Sequence, residues 1–522
     1  MHYGRKILYT DVPEITYDNV LEVLREAYAE HLDNSNRIDY LLRYEEGEQP
    51  LQREKKTRTD IDIKCVDNLA NEITEFKCSF NWQNAMSLVQ NGDVSDKRIS
   101  EAISELNQNY EMAKIKAKTQ ELARFVEIGA LCYVLIDTNT DWKPGKSYFT
   151  LDVLDPRTAF VIRSNYYPDK RVMLGVSYRH DNSTGNNYFT CFTKNERFEI
   201  VNLQEIIGKD GKSVYRHEER SGEMNPLGII PIVEYIRSYD RMGCFERQIS
   251  EMNNLNLMIS DFSNDVDQNT QAIWHGNDVE FPTEKVTNED GSTTERPKKP
   301  GTNEWVLTYT STDGKQPFIN PLAVNYDYSG MLNNIITRRQ LILQKCNVPE
   351  RNDNSGGSTG IAMSDATGWS QAENVAAKQQ LITDSNKLDE VEVVLAAIRE
   401  SPFVPQDSPL RELKISDIEV NVKRQKTYEM TTKVNAMATL LSHGFSLEDT
   451  VNAIPFFDDP NEVCMRSGDM VKKYQESVIN KSTTNSAEGG DGEQSPDSDK
   501  IMQDQSDQID NSPMIDTNRA ED

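Results

Sequence analysis

Residues 225–266 read NPLGIIPIVEYIRSYDRMGCFERQISEMNNLNLMISDFSNDV. Pro226 and Pro231 hold the first dozen residues extended, because each ring fixes φ and restricts the residue before it. From Phe245 to about Trp274 the pattern becomes that of a helix. Phe245, Ile249, Met252, Leu255, Ile259, Phe262 and Val266 recur at steps of three and four and make one apolar stripe. The intervening positions, among them Gln248, Asn253, Asn254, Ser260, Asp261, Asn264 and Asp265, are polar. About 30 residues of helix would run roughly 45 Å, longer than a small domain is wide.

Working outward, residues 275–327 contain the short strand-like runs VEF and EWVLTYT and the loop NEDGSTTERPKKPGTN, as in a small β-rich insertion. A second one-sided helix follows at 328–347, with Met331, Leu332, Ile335, Ile336, Ile342, Leu343 and Cys346 on one face. Two amphipathic helices flanking a small module have the shape of a stalk with a head. Residues 350–368 form a Gly/Ser/Asn loop, and no Lys or Arg occurs from Asn352 to Ala377. A long helix is expected over 370–398 and a strand over 418–425. Three further helices are marked by Gly444, by SLED and by DDPNE.

On the N-terminal side, residues 17–32 place Val20, Leu21, Val23, Leu24 and Ala27 at helical spacing. Residues 36–52 continue as helix until Gly47 and Pro50, and another helical stretch is expected over 98–129. From Leu131 the period falls to two. Segments 131–137, 147–154, 158–163, 171–180, 187–193 and 197–202 are rich in Val, Ile, Tyr, Phe and Thr and are separated by turn sequences. Helices first and then an antiparallel sheet predict an α+β class.

The 522 residues carry a net charge of −28 and a pI near 4.7. A protein that grips phosphates is usually basic, so nucleic acid is either no partner or is handled without being gripped. The tail, 477–522, has 11 acidic and 3 basic residues and too few apolar ones to fold. No run approaches the ~20 apolar residues of a membrane span, and the N-terminus lacks a secretory core. The seven cysteines are scattered and form no C-x-x-C pair, which predicts thiols in a reducing compartment.

Catalytic motifs are missing. The triplets Gly145–Ser147 and Gly211–Ser213 need a glycine five residues earlier to be phosphate loops, but Thr140 and Ile206 stand there. Both lie between strands and read as hairpin turns. The six histidines have no ligand spacing. Asp458 and Asp459 precede Pro460 and suit a helix start. The basic cluster Arg53–Arg58 is expected to pair with carboxylates in so acidic a chain. No enzyme chemistry, cofactor or metal is expected.

Four short signatures then appear in order: NRIDYLLRYEEGEQPL at 36–51, LDVLDPRTAFVI at 151–162, NPLGIIPIVEYIRSYDRMGCFERQI at 225–249 and SGGSTGIAMSDATGW at 355–369. Together with the order of elements they resemble the portal proteins of tailed bacteriophages, over roughly residues 17–476. The resemblance implies an α+β portal fold with an α/β wing, a long-helix stem, a small β-rich clip and an α-helical crown. The expected division is wing 1–240, first stem helix 241–274, clip 275–327, second stem helix 328–349, channel loop 350–368, wing helix and return strand 369–426, crown 427–476 and acidic tail 477–522.

The resemblance further implies a ring, usually of twelve copies, at one capsid vertex of the virion, assembled in the host cytoplasm. Double-stranded DNA would pass through it without sequence preference. The implied partners are the terminase large subunit, which hydrolyses ATP in the portal's stead, a head-completion adaptor, and the major capsid and scaffolding proteins. Asp261, Asn264 and Asp265 are the expected stem lining, and Asn352, Asp353, Asn354, Ser358, Thr359, Ser364 and Asp365 the expected loop contacts. Ile249, Met252, Leu255, Ile259, Phe262 and Val266 are expected to pack between neighbouring subunits in the stem. An acidic channel would let DNA slide, since a basic one would release counterions and bind. The other reading is a different structural protein of the phage head, neck or tail.

Overall fold

The computed structural model describes residues 4–51, 61–83, 85–91, 97–207, 213–216, 220–270, 274–277, 283–288, 291–297, 318–321, 327–349, 368–422, 430–454, 463–464 and 467–468. The chain divides into two units, Met1–Lys426 and Thr427–Asp522.

In the first unit, helix α1 (Val20–Glu45) joins the two helical stretches expected on either side of residue 34. Gly47, at φ +103°, ends the run. Helix α2 is Leu69–Asn81, capped by the Asn68 side chain, which accepts from the Asn71 amide. The single helix expected over 98–129 is two, α3 (Lys97–Met112) and α4 (Ile115–Gly129). They are split by Lys114 at φ +62°. No glycine or proline marks that break, so the apolar period ran on through it.

The strands fall close to their expected positions but build two sheets. The larger has six strands, and its edge strand Leu8–Thr10 runs parallel to Ala159–Ser164 while the other pairings are antiparallel. The smaller places Leu131–Thr138 between Phe149–Leu154 and Ile232–Ile236. The α1 stripe, including Val20, Val23, Leu24, Ala27 and Ile38, buries against Phe160, Ile162, Leu174, Phe189 and Phe198 of the six-stranded sheet. A second core joins α3 and α4 to the smaller sheet and to the long helix, through Leu106, Val126, Val134, Phe149, Tyr235, Val394 and Ile398.

After the sheets come helices α5 (Ile249–Thr270), α6 (Tyr328–Lys345) and α7 (Trp369–Glu400). Between α5 and α6 lie two antiparallel ladders, Trp274–Asn277 with Phe318–Pro321 and Thr283–Thr287 with Thr293–Pro297. The expected return strand is Ile418–Asn421, paired with Ser87–Gln90.

In the second unit, helix Met430–Ser442 ends at Gly444, φ +89°, and Ser446 caps helix Leu447–Ala453 by accepting from the Asp449 amide. The DDPNE start, the basic cluster at 53–58 and the acidic tail lie outside the described residues.

Candidate functional site

The entry to α5 is fixed by the charged residues of the 225–249 signature. Gly243 sits on the carbonyl of Ile128, and a Cβ there would stand 2.2 Å from that oxygen. The Cys244 amide bonds the Glu127 carbonyl at 2.8 Å. The Glu127 carboxylate is fully buried and accepts from Arg237 Nε at 2.8 Å, Trp82 Nε1 at 3.1 Å, Asn81 Nδ2 at 3.1 Å and Gln379 Nε2 at 2.6 Å. One carboxylate thus ties α2, α4, the segment leading into α5 and α7. Burial would raise its pKa, but the charge and hydrogen bond of Arg237, with the bonds of Gln379 and Trp82, outweigh it and hold the pKa below the usual value.

Two more carboxylates complete the clamp. Arg241, at φ +52°, holds Glu234 with both terminal nitrogens, at 3.0 and 2.7 Å, and Arg163 adds a third bond at 2.9 Å. Burial opposes ionisation of Glu234, yet Arg241 and Arg163 hold its pKa at about 2. Glu246 pairs with buried Arg5 and accepts from the Gly243 amide at 2.9 Å. The Arg5 amide bonds the Arg241 carbonyl.

The α5 stripe packs first against its own chain. Met252 and Leu255 are 0% and 1% exposed, in a core with Leu41, Tyr44, Leu69, Ile73, Ile335 and Ile342 from α1, α2 and α6. Ile249, Ile259 and Phe262 pack on the same cluster, and Phe262 meets Tyr328 edge-on at 5.9 Å. Val266, 42% exposed, is the stripe residue open to solvent. Within one chain Met252 and Leu255 are covered by α1, α2 and α6. Periodicity shows that a face is buried, not which chain covers it.

The polar side of α5 is also occupied in part. Asn264 is 4% exposed; its Oδ1 accepts from the Ile63 amide at 2.8 Å and its Nδ2 donates to the Ile63 carbonyl at 3.0 Å. Asn256 accepts from the Asp67 amide at 2.9 Å and donates to Gln49 Oε1 at 2.6 Å. Asn253 accepts from Tyr44 Oη at 2.9 Å. The Tyr-x-x-Gly-x-Gln-Pro signature thus presents both Tyr44 and Gln49 to α5. Asp261 and Asp265 are half-buried. The seven expected loop contacts, Asn352, Asp353, Asn354, Ser358, Thr359, Ser364 and Asp365, lie outside the described residues.

No group of His, Cys, Asp and Glu among the described residues could hold a metal ion. Gly145, at φ +89°, occupies a turn closed by the Lys146 amide on the Lys143 carbonyl. The other Gly-Lys-Ser triplet falls largely outside the described residues. His31 is buried, stacked on Phe160 and bonded to the Arg157 carbonyl at 3.0 Å. The cysteines form no disulfide. Burial pushes the Cys244 and Cys346 thiols up to about 12 and 11. No helix among the described residues is long and apolar enough to cross a membrane.

The comparison with known families gives the class of this mixed helix-and-sheet chain: it belongs to the phage portal proteins. The model that matches is that of the SPP1 Gp6-like portal proteins, over residues 26–477. No curated protein matches the chain.

Proposed function

We propose that the protein is the subunit of a ring, of twelve copies, that forms the DNA channel of a phage capsid vertex and serves as docking platform for the terminase and then for the head-completion adaptor. The observation that carries the reading is the family match over residues 26–477. In support, α5 carries Glu251, Asp261, Asp265 and Asp267 and no Lys or Arg. A helix of that composition repels phosphates, so DNA beside it is held by geometry and slides. Asp261 and Asp265 are retained as stem lining. The Asn264 amide is engaged by Ile63 in the same chain. The loop 350–368 is retained as the second channel element, and 275–327 as the docking surface.

Native mass measurement tests the ring. Twelve copies of 59.5 kDa give about 714 kDa. A species within one subunit of that mass supports the reading, and a stable dimer or tetramer as the largest assembly overturns it.

A further inference from the structure

We infer that the open edge of the six-stranded sheet is a docking surface for an extended segment of a partner protein that carries basic residues at every second position. Three observations meet there, and the first is a row of unmet backbone groups. Leu8–Thr10 is the last strand of its sheet and pairs on one side only, with Ala159–Ser164. In a parallel ladder alternate residues turn both N–H and C=O to the same neighbour. The Thr10 carbonyl accepts from the Asn165 amide at 2.8 Å, so Leu8 and Thr10 face inward. Lys6, of the same parity, exchanges bonds of 2.8 and 2.9 Å with the Asn34 side chain of α1. Arg5, Ile7 and Tyr9 therefore face outward. The Arg5 amide finds the Arg241 carbonyl at 2.9 Å. Beyond it, no hydrogen bond among the described residues meets the amide or carbonyl of Ile7. Tyr9, 39% exposed, has no strand on its outer side among the described residues.

The second observation is space. A cavity of about 450 Å³ lies along this edge, lined by Lys6, Ile7 and Tyr9 and by Glu26, Ala27 and Glu30 of α1. That falls within the roughly 300–1,000 Å³ of ligand clefts. The third is charge. Glu22, Glu26 and Glu30 are exposed on successive turns of α1, and none of them makes an ion pair among the described residues. Lys6, the one cation of the lining, is already held by Asp33 at 3.2 Å.

Geometry sets the partner's pattern. Asn34 stands beside Lys6, and Glu26 and Glu30 share the cavity with Ile7 and Tyr9, so α1 runs antiparallel along the edge. Glu26 and Glu30 are one turn apart, a rise of about 6 Å. Side chains on one face of an extended chain recur every ~6.6 Å. A strand laid on Ile7 and Tyr9 thus brings cations at positions i and i+2 to the two carboxylates, while its backbone meets the amides and carbonyls of the edge. In strand addition the main-chain bonds give affinity and the flanking side chains give selectivity. The acidic ridge of α1 selects a basic segment and rejects an acidic one.

Residue-resolved amide hydrogen exchange on the full chain tests it, with the acetylated peptide Thr-Lys-Val-Lys-Val-Thr as probe. Without peptide, Ile7 and Tyr9 should exchange faster than Leu8 and Thr10. With peptide at about twice its Kd, roughly 2 mM for a millimolar site, Ile7 and Tyr9 should slow about threefold and Leu8 and Thr10 should not change. The acidic peptide Thr-Glu-Val-Glu-Val-Thr should have no effect, and the double variant Glu26→Lys, Glu30→Lys should reverse the preference. No slowing at 2 mM, or equal slowing by the two peptides, overturns the inference. Protection of Ile7 and Tyr9 without any peptide overturns it too, and its fading on dilution would assign the edge to a second copy of the chain.

Discussion

Replacing Glu127 by Gln tests whether the entry to α5 and α7 are joined through one charge. The carboxylate is fully buried and takes four donors, one of them the Arg237 guanidinium, whose side chain is 17% exposed. Gln keeps one acceptor oxygen, turns an NH2 toward donors and leaves Arg237 without its counter-charge. Removing one partner of a buried pair costs about 3–5 kcal/mol. Arg237→Met strands the carboxylate instead and should cost a similar amount. With both replaced no lone charge remains, so the double variant should cost less than the two singles together, by about 2 kcal/mol or more. Equilibrium urea unfolding followed by tryptophan emission reads it, and Trp82 is itself one of the donors. Single costs that add to within about 0.5 kcal/mol would refute the shared-charge account.

His31 makes stability fall with acid. Burial lowers its pKa to about 4 in the fold, from 6.5. The unfolded chain therefore takes the proton first, and stability complete above pH 6.5 declines by roughly 3 kcal/mol down to pH 4. Thermal unfolding at stepped pH should show this slope flattened in His31→Gln, and identical slopes would count against it. Gly243→Ala forces a Cβ to 2.2 Å from the Ile128 carbonyl and should cost about 3 kcal/mol or prevent folding. Gly145→Ala meets nothing within 4 Å and should cost only about 1 kcal/mol, for its positive φ; equal losses in urea midpoints would sink the distinction. Asp at both Ile259 and Phe262 should loosen the α5–α6 hairpin within one chain, seen as faster amide exchange in both helices, whereas Val266→Asp should leave exchange unchanged. Unaltered exchange in the double variant would mean that the stripe is assigned to the wrong face.

Much of the architecture was legible because the strong signals were local. The strand run 131–202 alternates visibly, and α5 and α6 announce themselves by apolar residues three and four apart. The four signatures placed the chain in its family before any contact was known. What stayed hidden was pairing between distant residues. Nothing near Lys114 in EMAKIKAK breaks a helix, so its left-handed backbone was invisible. Asn264 is a polar residue on an amphipathic helix, and sequence cannot separate one that meets solvent or a channel from one that meets the backbone of Ile63, 201 residues away. The spacing Asn256, Ser260, Asn264 was a usable signal, since amide and hydroxyl side chains four apart can read an extended chain. The spacing of Met252 and Leu255 marks them as buried, but the residues of α1, α2 and α6 that bury them are distant in sequence.

The pairing of Arg5 with Glu246 spans 241 residues. Ribosomes add about 5–20 residues per second, so Arg5 waits roughly 12 to 48 seconds for its acid to be made. Glu127 likewise waits for Gln379, 252 residues later. The six-stranded sheet has all its strands once Met224 is made, before Glu246, with Arg5 on the segment that leads to its edge strand Leu8–Thr10. The closing of the helical root is thus a late event of synthesis. Nascent chains truncated before residue 246 should carry a folded sheet whose Arg5 is still open to solvent reagents.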